Sequence, residues 1–195
     1  DRQLFQLMAL TARSGATLSA TQSPGKDGTV VSRAGIAGAT PSASAMRSAM
    51  IEAATALVTK DVPMESLALV CRPSMYYALI DEGALIDVNF GNNGNGSQAG
   101  GAIVKGYGFK LYHSNHIPSG VVAPQTGELN TYAGDFSNTE AVAFHGDAIA
   151  TVIREGITVE TARRPEVQGD LVIPRMMVGH GILRPECAIE IVNAP

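Results

Sequence analysis

The spacing of apolar positions changes period along the chain, and each period predicts an element. In DRQLFQLMALTAR, Leu4, Leu7, Met8 and Leu10, joined less centrally by Phe5 and Ala12, share one broad side, as in an amphipathic helix stopped by Ser14-Gly15. No residue caps its start, and its stripe is in phase from the beginning, which predicts the C-terminal half of a longer helix. Residues 16–38 form a linker-like loop rich in Gly, Ser, Thr and Ala, with SPGKDG as a turn and TVV as a short strand. Thr40-Pro41 predicts the start of a second helix running to about Lys60, because threonine caps free amides and proline at the first helical position has none to waste. Its stripe is Met46, Met50, Ala53, Ala54, Leu57 and Val58. LALVC (67–71) reads as a buried strand, and Arg72-Pro73 opens a short helix, SMYYALID.

Residues 89–101, NFGNNGNGSQAGG, hold too much Gly and Asn for regular structure and too little apolar surface to pack, so a mobile loop is expected around Gly91, Asn93 and Gly96. GYGFKLYHSNHIP then alternates Phe109, Leu111 and His113 against Lys110, Tyr112 and Ser114, a half-exposed strand. A polar loop covers 118–139. Beyond it AVAFH, ATVIREGITVET, DLVIPRMMV and ECAIEIV read as strands joined by tight turns, giving an α+β chain with a sheet-rich C-terminal third.

Composition sharpens this picture. At 195 residues and 45% hydrophobic the chain can bury a core, yet only 16% of it is charged, against about 25% in an ordinary soluble domain. A surface so thinly charged is expected to be covered by copies of the chain or by partners. The net charge of −4 and scattered basic residues give no basis for phosphate-backbone binding. Cys71 and Cys187 form no framework and no C-x-x-C pair, so both read as buried thiols. No run approaches the ~20 apolar residues of a membrane span.

The chemical candidates are weak. His113 and His116 would share a face on a helix and could then reach one metal ion, but on a strand they point to opposite sides, and no third ligand is close in sequence. No glycine cluster has the strand-turn-helix context of a phosphate cradle, and no G-x-S-x-G elbow is present. In MMVGHGILRPECAIEIV the glycines 179 and 181 are expected to let a strand bend or bulge at His180, and Arg184-Pro185 to restrain the chain before the next strand. Arg184 and Glu186 would each pair across a subunit contact. No catalytic, cofactor or metal site is assigned; Arg2, His180, Arg184 and Glu186 are the structural or subunit-contact positions. A small metal hydrolase using His113 and His116 is the rival from a different class.

The stretch FHGDAIATVIREGITVETARRPEVQGDLVIPRM followed by VGHGILRPECAIEI resembles the C-terminal end of the major capsid proteins of tailed bacteriophages, particularly short-tailed, podovirus-type phages. KDVPMESLALVCRPSMYYALI and GAIVKGYGFKLYHSNHIPSG resemble the family's preceding segments, in the same order. The resemblance implies the Hong Kong 97 phage capsid fold, with residues 1–24 as the end of the spine helix and a connector in the peripheral domain, 25–140 mainly the axial domain, and 141–195 peripheral strands returning to the axial sheet. An N-terminal arm and an extended loop would precede the helix, and neither is in the sequence. It also implies a homo-oligomer of pentamers and hexamers enclosing double-stranded DNA without reading it, scaffolding and portal proteins as partners, no cofactor, no membrane, assembly in the host cytoplasm and residence in the virion. A cellular nanocompartment shell shares the fold and is the nearer alternative.

Overall fold

A computed structural model describes residues 2–13, 27–38, 41–82, 96–97, 102–103, 105–123 and 132–194. In chain order the elements are α1 (Arg2–Arg13), β1 (Thr29–Arg33), α2 (Ala43–Thr59), β2 (Ala68–Cys71), α3 (Pro73–Glu82), β3 (Gly96–Ser97), β4 (Ala102–Ile103), β5 (Lys105–Gly106), β6 (Phe109–His113), β7 (Val121–Val122), β8 (Gly134–Asp135), β9 (Thr139–Phe144), β10 (Ile149–Arg164), β11 (Gly169–Ile182) and β12 (Ala188–Asn193). Six strands form a mixed sheet in the order β1-β12-β9-β2-β6-β5. β1 runs parallel to β12 and β2 parallel to β6, while β9 pairs antiparallel with β12 and β2.

Strand alternation divides the sheet into two faces. Val31, Leu69, Cys71, Phe109, Leu111, Ala141, Ala143, Ile189 and Ile191 point to one side, where they meet Met46, Ala49, Met50, Ala53 and Leu57 of α2 and Met75 and Leu79 of α3 in the main core. Met8 and Ala9 of α1 lie on the other side against Phe136 and Val142, flanked by Phe5, Leu10 and Phe144. Small residues let the layers approach closely: a β-carbon on Gly28 would overlap the backbone of Ala12.

Helix α2 begins later than Thr40-Pro41 predicts. Ser42 is the cap, its hydroxyl accepting from the Ala45 amide at 3.4 Å, which leaves Pro41 outside the first turn. Val58 leaves the expected stripe and is 55% exposed, since the buried side of α2 follows Met46, Ala49, Met50, Ala53 and Leu57. The strand reading of GYGFKLYH resolves into the hairpin β5–β6, turned by Tyr107-Gly108 with φ of 51° and 90°, both positive as a tight two-residue hairpin loop requires.

β10 and β11 stand apart. They pair only with each other among the described residues, as a long antiparallel ribbon closed by a turn in which Gln168 is left-handed. The chain exposes 11541 Å², well above the roughly 9,000 Å² of a compact monomer of this mass, and the ribbon contributes to that excess. No bulge falls at Gly179 or Gly181: the ladder runs in register through Gly179-His180-Gly181 opposite Ala150, Thr151 and Val152. Register shifts fall instead between Ile153 and Glu155 and between Glu155 and Thr158, and the chain turns after Ile182 through a short 3-10 turn at Pro185–Cys187.

Candidate functional site

Two features distinguish this chain chemically: the joint that seats α1 on the sheet, and the ribbon that the sheet does not cover. The joint is built around Glu190, which occupies a polar position of the alternating strand β12 and is nevertheless fully buried, because α1 lies over that face. Arg13, in the last turn of α1, forms a two-pronged pair with it, Nε to Oε2 at 2.5 Å and Nη2 to Oε1 at 2.5 Å. The Thr139 hydroxyl donates to Oε1 at 2.6 Å, Arg13 Nη1 donates to the Asp135 carbonyl at 2.6 Å, and the guanidinium carbon sits 5.0 Å from the Phe136 ring centroid. The hydrogen bonds to Glu190 hold the Arg13 pKa above its ordinary value against the lowering effect of burial. A fork-on-fork pair of this kind fixes direction as well as energy, so the helix end has a single seat.

Next along the sheet, Arg72 donates to the carbonyls of Thr139 and Pro118 and pairs with Glu140 at 3.1 Å. Burial raises the Glu140 pKa, and the nearby Arg72 only partly offsets it. Arg72 thereby ties the start of α3 to β9. At the far end of α2, the Lys60 ammonium donates to the carbonyls of Asp27 and Gly28 and to the Thr29 hydroxyl, fastening the entry to β1. Partial burial lowers its pKa.

Of the positions singled out in the sequence, Arg184 and Glu186 come together, with Arg184 Nε donating to Glu186 Oε1 at 2.8 Å within one turn. That bond, first among its neighbours, raises the Arg184 pKa. His180 lies in β11 at the ribbon root, its Nδ1 2.9 Å from the Thr151 hydroxyl and its carbonyl accepting from Tyr132 at 3.4 Å. Arg2 is exposed at the first residue of α1, apart from the other three. Gly91 and Asn93 lie outside the described residues. Gly96 lies in the two-residue strand β3, paired with Ile103, so regular structure reaches into the glycine-rich segment. His113 ends β6 with its ring 4.7 Å from that of Tyr76 and 6.0 Å from that of Tyr77, while His116 is exposed in the following turn. The described residues contain no group of three or more His, Cys, Asp or Glu placed to hold an ion. Cys71 is buried with its pKa pushed up to about 12, and burial also raises that of Cys187.

The ribbon carries a long run of exposed apolar side chains. Val159, Val172 and Met176 are 55%, 57% and 49% exposed, and with Thr161 and Pro174 they share one side of the distal ladder. Arg175 and Glu160 pair at 2.9 Å on the other side, next to Ile173. One face is thus uncharged through most of its length and has nothing beneath it among the described residues. A bare apolar ribbon face of this kind, among the described residues, suits association.

Comparison with known proteins points the same way. A family model described as Gp10A-like: Major capsid protein matches residues 1–192. The chain is 27% identical over 166 residues to the major capsid protein of Escherichia phage T7, covering 74% of this chain and 45% of that protein. It has the same identity to the minor capsid protein of that phage, of which 39% is covered. The chain therefore spans less than half the length of the curated relatives it matches. Among solved structures, the capsid of the Cyanophage P-SCSP1u superposes with a TM-score of 0.83 and 27% identity over all of this chain and 61% of that one. The mature capsid of bacteriophage PhiM1 gives a TM-score of 0.79 at 18% identity over 99% of this chain and 59% of that one, a likeness of fold alone.

Proposed function

The chain belongs to the Gp10A-like major capsid protein family, and on that premise we propose that it is a shell-building subunit of a short-tailed phage, many copies of which close into an icosahedral container for double-stranded DNA. The role is structural. In this reading the six-stranded sheet with α2 and α3 is the axial domain, which gathers in rings as pentamers and hexamers, and α1 with the ribbon belongs to the peripheral domain, which joins those rings. Scaffolding and portal proteins direct closure in the host cytoplasm, and the finished protein resides in the virion. The DNA is enclosed without being read, in keeping with a net charge of −4 and the lack of a basic cluster in the sequence.

The observation that carries this reading is the family match over residues 1–192, and the bare ribbon supports it. A two-stranded ribbon is marginal in water by itself, and symmetry repeats a modest contact around a ring and across a lattice until the sum is large. Expression of the full-length protein, followed by sedimentation and electron microscopy, tests it. Closed shells of uniform size are expected, and a monomer at all concentrations would refute it. The nearer alternative, a cellular nanocompartment shell, predicts particles that carry a protein cargo and no genome.

A further inference from the structure

The buried polar groups beneath α1 form one continuous row, and a β-bulge makes it so. From Ile191 to Val192 strand β12 advances one residue while β9 advances two, from Ala141 to Thr139, which leaves Glu140 as the extra residue. Alternation keeps Glu140 on the side of Val142, the side on which α1 lies. Alternation alone would send Thr139 the other way, with Ala141 and Ala143 into the main core. The bulge turns it back, and its hydroxyl reaches Glu190 instead. Thr139 and Glu140, neighbours in sequence and both buried, thus lie on the same side of the sheet.

Thr139 carries two attachments at once. Through its hydroxyl it belongs to the seat of α1, donating to Glu190 Oε1 at 2.6 Å and accepting from Arg13 Nη2 at 3.3 Å. Through its carbonyl it belongs to the anchor of α3, accepting from Arg72 Nε at 3.1 Å and from Arg72 Nη2 at 2.8 Å. The main chain of Arg72 joins in: its amide donates to the Glu140 carbonyl at 3.2 Å, and its carbonyl accepts from the Tyr76 amide of α3 at 3.0 Å. Each cation has its own carboxylate, Arg13 with Glu190 and Arg72 with Glu140. Threonine is stiff at χ1 and the ladder fixes its main chain, so the hydroxyl and the carbonyl move as one body. We infer that Thr139 couples the two helices, so that the end of α1 and the start of α3 are held or released together. Withdrawing Arg13 strips a partner from both Glu190 and Thr139, and a buried polar network that loses one member loosens the rest. The slack reaches Arg72 through the Thr139 carbonyl. On the shell reading α1 is peripheral and α3 axial, and the bulge is then where a change between rings is felt inside them. The coupling itself belongs to one chain and is measured without a shell.

Amide hydrogen exchange on the full-length protein tests this. Arg13→Gln should speed exchange at the Arg72 and Tyr76 amides by a factor of about 5–150, the usual range for coupled sites. Lys110, whose amide donates to the Leu67 carbonyl at the other end of β2, should keep its rate. Coupling is reciprocal, so Arg72→Gln should speed the Ala12 and Arg13 amides in the last turn of α1 by a comparable factor. Thr139→Val is close in shape and keeps the carbonyl but lacks the hydroxyl. In that background Arg13→Gln should leave the Arg72 and Tyr76 rates where they are, whereas in Thr139→Ser the acceleration should persist. If Arg13→Gln does not fold, Arg13→Lys carries the same test, since it keeps the charge beside Glu190 and gives up the two-pronged geometry. Unchanged Arg72 and Tyr76 rates in a folded Arg13 variant, equal acceleration at Lys110, or an acceleration that survives Thr139→Val would each overturn the inference. None of these rates depends on whether particles form, so a failed coupling and a failed shell reading are told apart.

Discussion

β9 with β12 and β10 with β11 are neighbouring antiparallel pairs made of similar residues, and they end in opposite environments. β9 and β12 are covered by α1 on one face and by α2 and α3 on the other, so that Ala141, Val142, Ala143, Ile189 and Ile191 are almost completely buried. β10 and β11 alternate apolar and polar side chains just as plainly, yet nearly every residue beyond the ribbon root is exposed. The difference lies in what the rest of the described chain supplies. The sheet has two layers of helix over it, whereas among the described residues the distal ribbon has none.

This contrast predicts that substitutions in the two regions fail in different assays. Phe109→Ala, emptying a fully buried position of the main core, should lower the unfolding free energy of the subunit by about 3–5 kcal/mol, seen as a lower denaturant midpoint. Arg13→Ala leaves a buried carboxylate unpaired and should cost about 3 kcal/mol, the low end for a broken buried pair because Arg13 itself is partly exposed. Thr139 still donates to Glu190 in that variant, so Arg13→Ala with Glu190→Gln should recover part of the loss. Val172→Ala, in the ribbon, should change subunit unfolding by less than ~0.5 kcal/mol while reducing the yield of closed shells, and a midpoint shift as large as that of Phe109→Ala would erase the distinction. His180→Ala should likewise alter subunit stability by under ~0.5 kcal/mol, because among the described residues its ring bonds to the Thr151 hydroxyl at the ribbon surface.

The smallest effect is a pH dependence. The Glu140 carboxyl has a raised pKa in the fold, so between neutral and mildly acid pH the folded chain takes up a proton there before the unfolded chain does. Protons bound preferentially to the folded state stabilise it as pH falls. The stability of the unmodified protein minus that of Glu140→Gln should therefore rise from pH 7 to pH 4, measured by parallel denaturant titrations. A difference that falls over this window would mean that Arg72 dominates over burial.

Much of this architecture is legible in the sequence because it is local. The 3.6-residue stripe of α1, the run LALVC and the proline-started helix after Arg72 each bring their own period and punctuation, and all three stand where the pattern puts them. Ser42 rather than Thr40 caps α2, a shift of two residues across a proline, and its hydroxyl accepts from the Ala45 amide. Glu190 is the instructive failure. In ECAIEIV it occupies the slot that alternation assigns to solvent, and the cation that makes its burial tolerable lies 177 positions away at Arg13. Strand periodicity gives the face of a residue and not what covers that face, which is also why the exposed ribbon reads as ordinary sheet. The residue pattern assigns Arg184 and Glu186 to contacts with a neighbouring subunit, whereas within the chain they bond to each other across the single 3-10 turn that Pro185 opens.

The parallel pairing of β1 with β12 has a consequence for how the molecule is made. Thr29 aligns with Ile189 and Arg33 with Asn193, so the edge strand of the sheet must wait until almost the whole of this stretch has been synthesised. At roughly 5–20 residues per second, the ribosome leaves β1 without its partner for on the order of 10–30 s. Closing so long a loop is also entropically slow, which places the chain among high-contact-order folds. β10 and β11 leave the ribosome before β12 does, so the ribbon's residues must wait for the strand that completes the sheet anchoring them. Chain synthesis thus sets an order on folding: the residues of the ribbon are available early, and the strand that completes the sheet beneath them arrives last.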